Sequence, residues 1–317
     1  MSVVPDSIKV PKDLPFLEAI SWQLADCRQL TPLEMLHQYE RNWHYLGVLG
    51  NLSVEESAFV QQLSHQYGSW LLMNVTVELH QKILVVLRHL NADFLRDCGV
   101  YFGGGTLLAL TLDEYRVSQD VDFLCSSTGG YRQLRRAVFD RGYDALFANR
   151  HDIELPREIQ SNQYGIRFPA MVDGHSIKVE MVSEGRIELD DPETLDAIPV
   201  ACLSRVDCFA EKLLANADRW LDESTASRDL IDLAVLRSHS PIPEQAITKA
   251  EAAYPVVEPL KRAITNFQAK PDYRDRCYQM LCVRSPNLVI DGLDQLAADF
   301  KLSHTPRTTH ETSGGGN

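Results

Sequence analysis

The sequence predicts an α+β fold, with a mixed-sheet core over residues 97–203 flanked by an N-terminal helical region (1–96) and a C-terminal helical domain (204–303). Three observations carry that expectation. The stretch from about Trp70 to Leu95 has no proline or glycine, and "HQKILVVLRHL" within it sets apolar residues at helical spacing. Between 97 and 203 the pattern changes to short apolar runs broken by glycine turns. From Leu203 onward helical patterning returns, punctuated by prolines at 241, 243, 255, 259, 271 and 286.

Each element has a local reason. "TPLE" (31–34) offers a Thr N-cap, a proline at the first helical position and a glutamate three residues on, and "SVEE" (53–56) repeats the capping-box logic. "GVYF" (99–102) reads as a strand and "TLLALTL" (106–112) as a helix, which leaves Gly103, Gly104 and Gly105 on the turn between them. "QDVDFLC" is a second strand, and "GGYRQLRRAVFDRGY" (129–143) a second helix. "YGIRFPAMVDGHSIKVEMV" (164–182) reads as a hairpin turning at Asp173-Gly174. Helices follow at 204–221 and 226–239, joined by the polar "DEST". The end of the chain, 304–317 with its glycine-rich "THETSGGGN", is expected to be disordered. No internal repeat is evident.

Composition narrows the function classes. A chain of 317 residues with 44% hydrophobic content can bury a sizeable core in one large domain or two to three ordinary ones. A net charge of −13 argues against a general nucleic-acid coat but leaves room for a local basic patch. The seven cysteines (27, 98, 125, 202, 208, 277, 282) form no Cys-x-x-Cys pair and no zinc spacing, and read as small buried hydrophobes in a reducing cytoplasm. The N-terminus lacks a signal-peptide pattern, and runs such as "ILVVL" (83–87) are too short to span a bilayer, so no membrane role is expected.

The chemistry concentrates in "GGGTLLALTLDEYRVSQDVDF" (103–123). Strand side chains alternate, so Asp120 and Asp122 share one face while Val121 and Phe123 enter the core. Two adjacent carboxylates repel unless a hard cation such as Mg²⁺ lies between them. The glycine turn bares backbone amides at a helix N-terminus, which suits a phosphate. A glycine turn alone is usually just a tight turn, and an Asp-x-Asp pair alone a solvated strand end. In this order and spacing they fit metal-assisted phosphoryl or nucleotidyl transfer.

Further candidates surround that core. Glu180 lies mid-strand in "HSIKVEMV" as a possible third carboxylate, or as a solvent-facing acid paired with Lys178. Arg116 and Ser118 precede the aspartates, and Arg116 could meet a nucleotide phosphate or pair with Asp113 or Glu114. Lys212, Asn216 and Arg219 share a helix face, and Arg228, Asp229 and Asp232 form a second polar set on a helix that reads as mostly buried. Buried acids need partners, and Lys212 is a candidate to hold its ammonium near a triphosphate. Arg132, Arg135 and Arg136 share a face of the 129–143 helix, with Arg141 at its end, and could touch RNA or form ordinary surface ion pairs.

The run "FGGGTLLAL…YRVSQDVDFLC…IKVEMV…EKLLANADR…SRDLIDLAVL" resembles the nucleotidyltransferases of the AbiEii/AbiGii toxin family, within the DNA polymerase β-like superfamily, over roughly residues 97–240. The resemblance implies a nucleotidyltransferase-type mixed-sheet core. It places the family's turn glycines and hydroxyl on Gly104, Gly105 and Thr106, and its metal-binding aspartates on Asp120 and Asp122. Its helical lysine falls on Lys212 and its Arg-Asp-x-x-Asp motif on Arg228, Asp229 and Asp232, with Glu180 in the third acidic position. The implied activity is Mg²⁺- (or Mn²⁺-) dependent transfer of an NMP from an NTP (ATP, GTP, CTP or UTP) to a hydroxyl, releasing pyrophosphate. In that reading Asp120, Asp122 and Glu180 hold metal, while Gly103 to Gly105, Thr106, Arg116, Ser118, Lys212 and Asp229 hold the nucleotide. The family implies a toxin of a toxin–antitoxin or abortive-infection (phage-defence) system, an antitoxin partner and an RNA acceptor, tRNA among them. The competing readings are a catalytically silent module of the same fold and a transferase acting on a protein or small-molecule hydroxyl. The N-terminal helical region exceeds what the motif-bearing core requires.

Overall fold

In a computed structural model of the chain, residues 8–24, 26–67, 69, 71–308 and 311 are described. The N-terminal part is helical: α1 (Pro15–Ile20), α2 (Pro32–Asn42), α3 (Val54–Tyr67), α4 (Leu71–His89) and α5 (Ala92–Asp97). The core alternates β1 (Tyr101–Gly103), α6 (Gly104–Thr111), β2 (Val121–Cys125), α7 (Thr128–Arg141), α8 (Tyr143–Leu146), β3 (Gln160–Ser161), β4 (Gly165–Val172) and β5 (His175–Ser183). Helices α9 (Arg205–Arg219), α10 (Arg228–His239), α11 (Glu244–Ala253), α12 (Val257–Ala269), α13 (Pro271–Met280) and α14 (Pro286–Asp299) close the chain. This is the α+β arrangement the sequence predicts.

The five strands form one mixed sheet in the order β1-β2-β5-β4-β3. β2 runs antiparallel to β1 and parallel to β5, and β5 antiparallel to β4. The β4–β5 hairpin turns at Asp173 (φ 47°) and Gly174 (φ 76°), the two positive-φ residues that an Asp-Gly hairpin turn requires. Register aligns Gly103, Asp122, Glu180 and Arg167 in one row across four strands. Cross-strand partners point to the same face, so one row of the sheet carries the acids. The intervening row, Val121 and Val179 with Phe168, is buried.

Two apolar clusters fill the described residues. The larger runs from Leu79 in α4 through the sheet to Ala297 in α14. The smaller gathers Leu14, Phe16, Met35, Tyr39, Phe59 and Leu63, among others, from just before α1 to Leu71 at the start of α4. All seven cysteines are buried and unbonded, as expected of small hydrophobes.

Three local expectations change. The helix expected from Trp70 to Leu95 starts at Leu71 and breaks after His89; Trp70 itself lies outside the described residues. Asn91 then caps α5 through its side chain to the Phe94 amide, because asparagine competes with the helix for backbone donors. At 53–56 only half a capping box forms. Ser53 accepts from the Glu56 amide, but the buried Glu56 carboxylate turns inward to accept from the Phe16 and Leu17 amides and the Tyr39 hydroxyl. Three otherwise orphaned donors hold it there. By contrast the box at Thr31 and Glu34 is complete. The tail expected to be disordered is partly anchored: buried Arg274 clamps Glu311 at 2.7 Å, and Arg307 pairs with Asp291 and Asp294. Residues 309–310 and 312–317 lie outside the described residues.

Candidate active site

The carboxylate row opens onto a cavity of about 370 Å³ between the sheet and α9. Its floor carries Asp122 and Glu180, then Leu124 and Val182 one pleat further along the strands. Its wall on the helix side includes Lys212, Glu211, Ala215 and Arg219 from α9. Gly104, Gly105, Ser118 and Asp120 close one end, and Arg228 also borders it. β2 starts at Val121, so Asp120 ends the preceding loop rather than lying within the strand.

The glycine turn has two steric reasons beyond its bare amides. Gly104 has φ +71°, and a Cβ there would lie 2.7 Å from Asp122 Oδ2. A Cβ on Gly105 would collide with Arg116 Nη2. Glycine thus lets a carboxylate and a guanidinium approach the start of α6. Gly103 ends β1 opposite Asp122, and its missing side chain leaves room for Leu203.

Burial raises the Asp122 carboxyl to about 6, and the charges of Asp120 and then Glu180 push the same way. That is the electrostatic mark of a site needing positive charge. Hard carboxylate oxygens from Asp120 and Asp122, with Glu180 alongside, fit an oxygen-preferring divalent cation. Among the described residues, no group of three or more His, Cys, Asp or Glu side chains is already gathered into a metal-binding geometry. Glu180 is held by Arg167 and by Lys178, whose ammonium lies 2.5 Å away. Burial would raise Glu180, but those two cations keep it below the ordinary carboxylate range. The alternative pairing with Lys178 therefore holds alongside its place beside Asp122.

Lys212 is buried, and its ammonium is held 3.1 Å from Asp229 and 2.5 Å from Asp232. Burial would lower its pKa, but Asp232 and Asp229 more than reverse that, so it stays charged. Its charge also acts on Asp122 across the cavity. α10 thus supplies the buried counter-charges that let α9 present a lysine in a largely desolvated wall.

Three residues expected at the nucleotide are engaged by the protein's own groups, Arg116 while it also lines the cavity. Arg116 pairs with neither Asp113 nor Glu114. It forks onto Asp232, Nε to Oδ1 at 2.6 Å and Nη2 to Oδ2 at 2.9 Å, while Tyr115 donates to the same carboxylate at 2.5 Å. Bidentate pairing in a buried setting outcompetes the exposed Asp113, and Glu114 is taken by His80 at 2.9 Å and Arg284 at 3.7 Å. Thr106 is fully buried, donates to the Asp120 carbonyl and shares a hydrogen bond with the Ser118 hydroxyl, so its hydroxyl fixes the loop that delivers Asp120. Asp229 lies behind the cavity wall and accepts from Lys212 and, at 2.6 and 2.9 Å, from Arg219. Burial would raise it, but Lys212 and Arg219 hold it far below the usual range. Asp232 is the buried hub joining Arg116, Tyr115 and Lys212.

Sequence reasoning missed the far end of the cavity, where Glu184, Arg186, Glu211 and Asp218 meet. Glu184 directly follows β5 and Glu211 directly precedes Lys212, so adjacency to two motifs was the available signal. On α7, Arg132, Arg135 and Arg136 line a separate groove with Phe139, which is 90% exposed. Only Arg136 of these three has an ion-pair partner among the described residues, Asp140 at 3.8 Å, and Arg141 sits over the Phe94 ring.

A family model described as nucleotidyl transferase AbiEii toxin, type IV TA system, matches residues 85–277. No curated protein matches the chain. Two Helicobacter pylori structures, one of them JHP933, are each 18% identical to it, with TM-scores of 0.42 and 0.40. They cover 73% of this chain, which spans 95% and 92% of theirs. MenT4, a nucleotidyltransferase toxin from Mycobacterium tuberculosis, is 14% identical with a TM-score of 0.29, covering 83% of this chain and 98% of its own.

Proposed function

Since the chain belongs to the AbiEii nucleotidyltransferase family, the toxins of type IV toxin–antitoxin systems, we propose that it moves an NMP from an NTP to an RNA hydroxyl in the Asp120–Asp122 cavity. The observation that carries this reading is the row of Gly103, Asp122 and Glu180 beneath Lys212. Asp120 and Asp122 would hold Mg²⁺, with Glu180 completing the set. A bound divalent cation supplies Lewis-acid stabilisation of phosphate charge and lowers the pKa of a coordinated hydroxyl.

The chain's own groups do the rest. Amides at the Gly103–Gly105 turn bind phosphate oxygens at the start of α6. Lys212 supports the negative charge that grows as the acceptor oxygen bonds to the α-phosphorus and pyrophosphate leaves. Asp232 and Asp229 keep that lysine charged and aimed, and Arg116 and Thr106 fix the loop that carries Ser118 and Asp120. Arg228 has no ion-pair partner among the described residues and remains available to phosphate at the cavity rim.

The acceptor reading rests on α7, whose Arg132 and Arg135, without ion-pair partners among the described residues, offer local positive charge on a protein of net charge −13. A type IV toxin also implies an antitoxin partner. The test is incubation with each labelled NTP, Mg²⁺ and total RNA, with Asp120→Ala in parallel. Label entering RNA with wild type and not with the variant supports the reading. A folded wild type that labels nothing favours the silent module, and label on protein or a small molecule moves the acceptor elsewhere.

A further inference from the structure

The far end of the cavity holds an arginine in an unusual state of saturation. Arg186 Nε donates to Glu184 Oε1 and Oε2 at 3.0 and 3.1 Å. Nη2 donates to Glu184 at 2.6 Å and to Glu211 at 2.7 Å. Nη1 donates to Asp218 at 3.3 Å and to the Tyr254 hydroxyl at 3.2 Å. A guanidinium has five N–H bonds, all in its plane. Every in-plane direction of Arg186 is therefore taken by the protein, and none is left for a phosphate or a carbonyl.

The side chain is nevertheless 33% exposed and borders the cavity. With its edges occupied, what it can offer a ligand is its flat face. Such planes stack on nucleobases, as aromatic rings do.

Its distance from the phosphate end suits that use. Glu184, which grips Arg186, lies four residues beyond Glu180, and Glu180 is the register partner of Asp122. At 3.3 Å per strand residue the separation is about 13 Å, the scale of a nucleotide measured from phosphate to the outer edge of its base. Between the two ends the floor is apolar, formed by Leu124 and Val182, with Ala215 and Leu203 also lining the space. An apolar slot with a charged plane at its end accepts a ring.

We propose that Arg186, locked in plane by Glu184, Glu211, Asp218 and Tyr254, is the stacking platform for the base of the bound nucleoside triphosphate. The proposal rests on the nucleotide reading of this cavity and adds which end takes the base. Glu184, Glu211 and Asp218 are positioning residues that hold the plane.

The test compares wild type with Arg186→Lys, which keeps the charge for the surrounding carboxylates and removes the plane. Affinities are measured by calorimetry for the tightest-bound of the four NTPs and for inorganic tripolyphosphate. The expected result is a roughly tenfold loss of NTP affinity with tripolyphosphate affinity unchanged. Equal NTP affinity in both proteins overturns the platform, as does a parallel loss for both ligands. Wild type that binds tripolyphosphate but gains nothing from a base also overturns it while sparing the phosphate site. Wild type that binds neither overturns both readings. Should Arg186→Lys fail to fold, the wild type still decides. The Arg186 δ-protons shift upfield under the ring current of a bound NTP and not with tripolyphosphate, and their failure to move at saturating NTP overturns the proposal.

Discussion

At the scale of single residues, the site is organised by unequal treatment of its acids. Asp122 is half-buried beside Asp120 and Glu180 and is raised to about 6, whereas Asp229 and Asp232 are held low by cations. The consequence for stability has a definite sign. A carboxyl raised on folding favours the native state below its unfolded pKa, and that advantage is lost as pH rises through the folded value. In metal-free protein we expect the Asp122 contribution to fall between about pH 4 and about pH 6, by roughly 2 kcal/mol after allowance for its partial exposure. Urea denaturation in EDTA across that range checks it. Asp122→Asn should flatten the slope, raise stability near neutrality and abolish nucleotide transfer. A variant that keeps wild-type transfer would remove Asp122 from the metal-binding assignment. Lys212 behaves oppositely. Lys212→Met strips a charge from two buried aspartates, so we expect a loss of about 2–4 kcal/mol, softened because Arg219 and Arg116 still hold those acids. Transfer should fall at least a hundredfold at temperatures where the variant remains folded, measured by labelled-NMP incorporation.

At the scale of elements, the strand–turn–helix unit β1–α6 and the parallel neighbours β2 and β5 bring together groups distant in sequence. Asp122 and Glu180 meet because parallel pairing sets Val121 against Val179, which fixes every later pair. α7 is the element whose role is set by charge. Its buried side, Tyr131, Leu134 and Val138, packs on the core, while Arg132 and Arg135 remain outside without ion partners among the described residues. Replacing Arg135 and Arg136 with Glu should weaken RNA-acceptor use about tenfold or more at low salt and leave NTP affinity nearly intact. The salt dependence of acceptor binding should also become shallower. Equal acceptor affinity in variant and wild type across a salt series would take α7 out of the acceptor surface.

At the scale of the whole chain, the separate apolar clusters mark a division of labour. α1 to α3 bury their own core around Phe16, Tyr39 and Phe59, whereas Ile83, Val86 and Leu87 of α4 belong to the sheet-bearing core. The matched family region begins at residue 85, inside α4. We therefore expect a chain beginning at Leu71 to keep its helical circular-dichroism signal per residue, a cooperative melt and NTP affinity within threefold of wild type. Loss of cooperative unfolding would show that the packing of α3 on α4 and α13 makes the two cores interdependent. Among the described residues no helix is long and apolar enough to cross a membrane.

The sequence by itself determined the parts of this protein that depend on local pattern. Alternation put Val121 and Phe123 inside and left Asp122 facing the cavity, Asp173-Gly174 turned the hairpin, and Thr31 capped α2. The glycine turn and the aspartates were legible together because their spacing is short, whereas Lys212 joined them through the family motif. Side-chain pairing across more than a hundred residues was not legible. Arg116 had acids at 113 and 114 within reach of any local argument, yet it chose Asp232, because burial strengthens a bidentate pair while Asp113 stays solvated and Glu114 is taken by His80 and Arg284. Thr106 and Asp229 likewise support the cavity from behind because Ser118, Lys212 and Arg219 converge on them only after the helices pack. Arg186 carried no motif at all. Only the folded chain closes four partners around its plane, since a guanidinium's free face is defined by what occupies its edges.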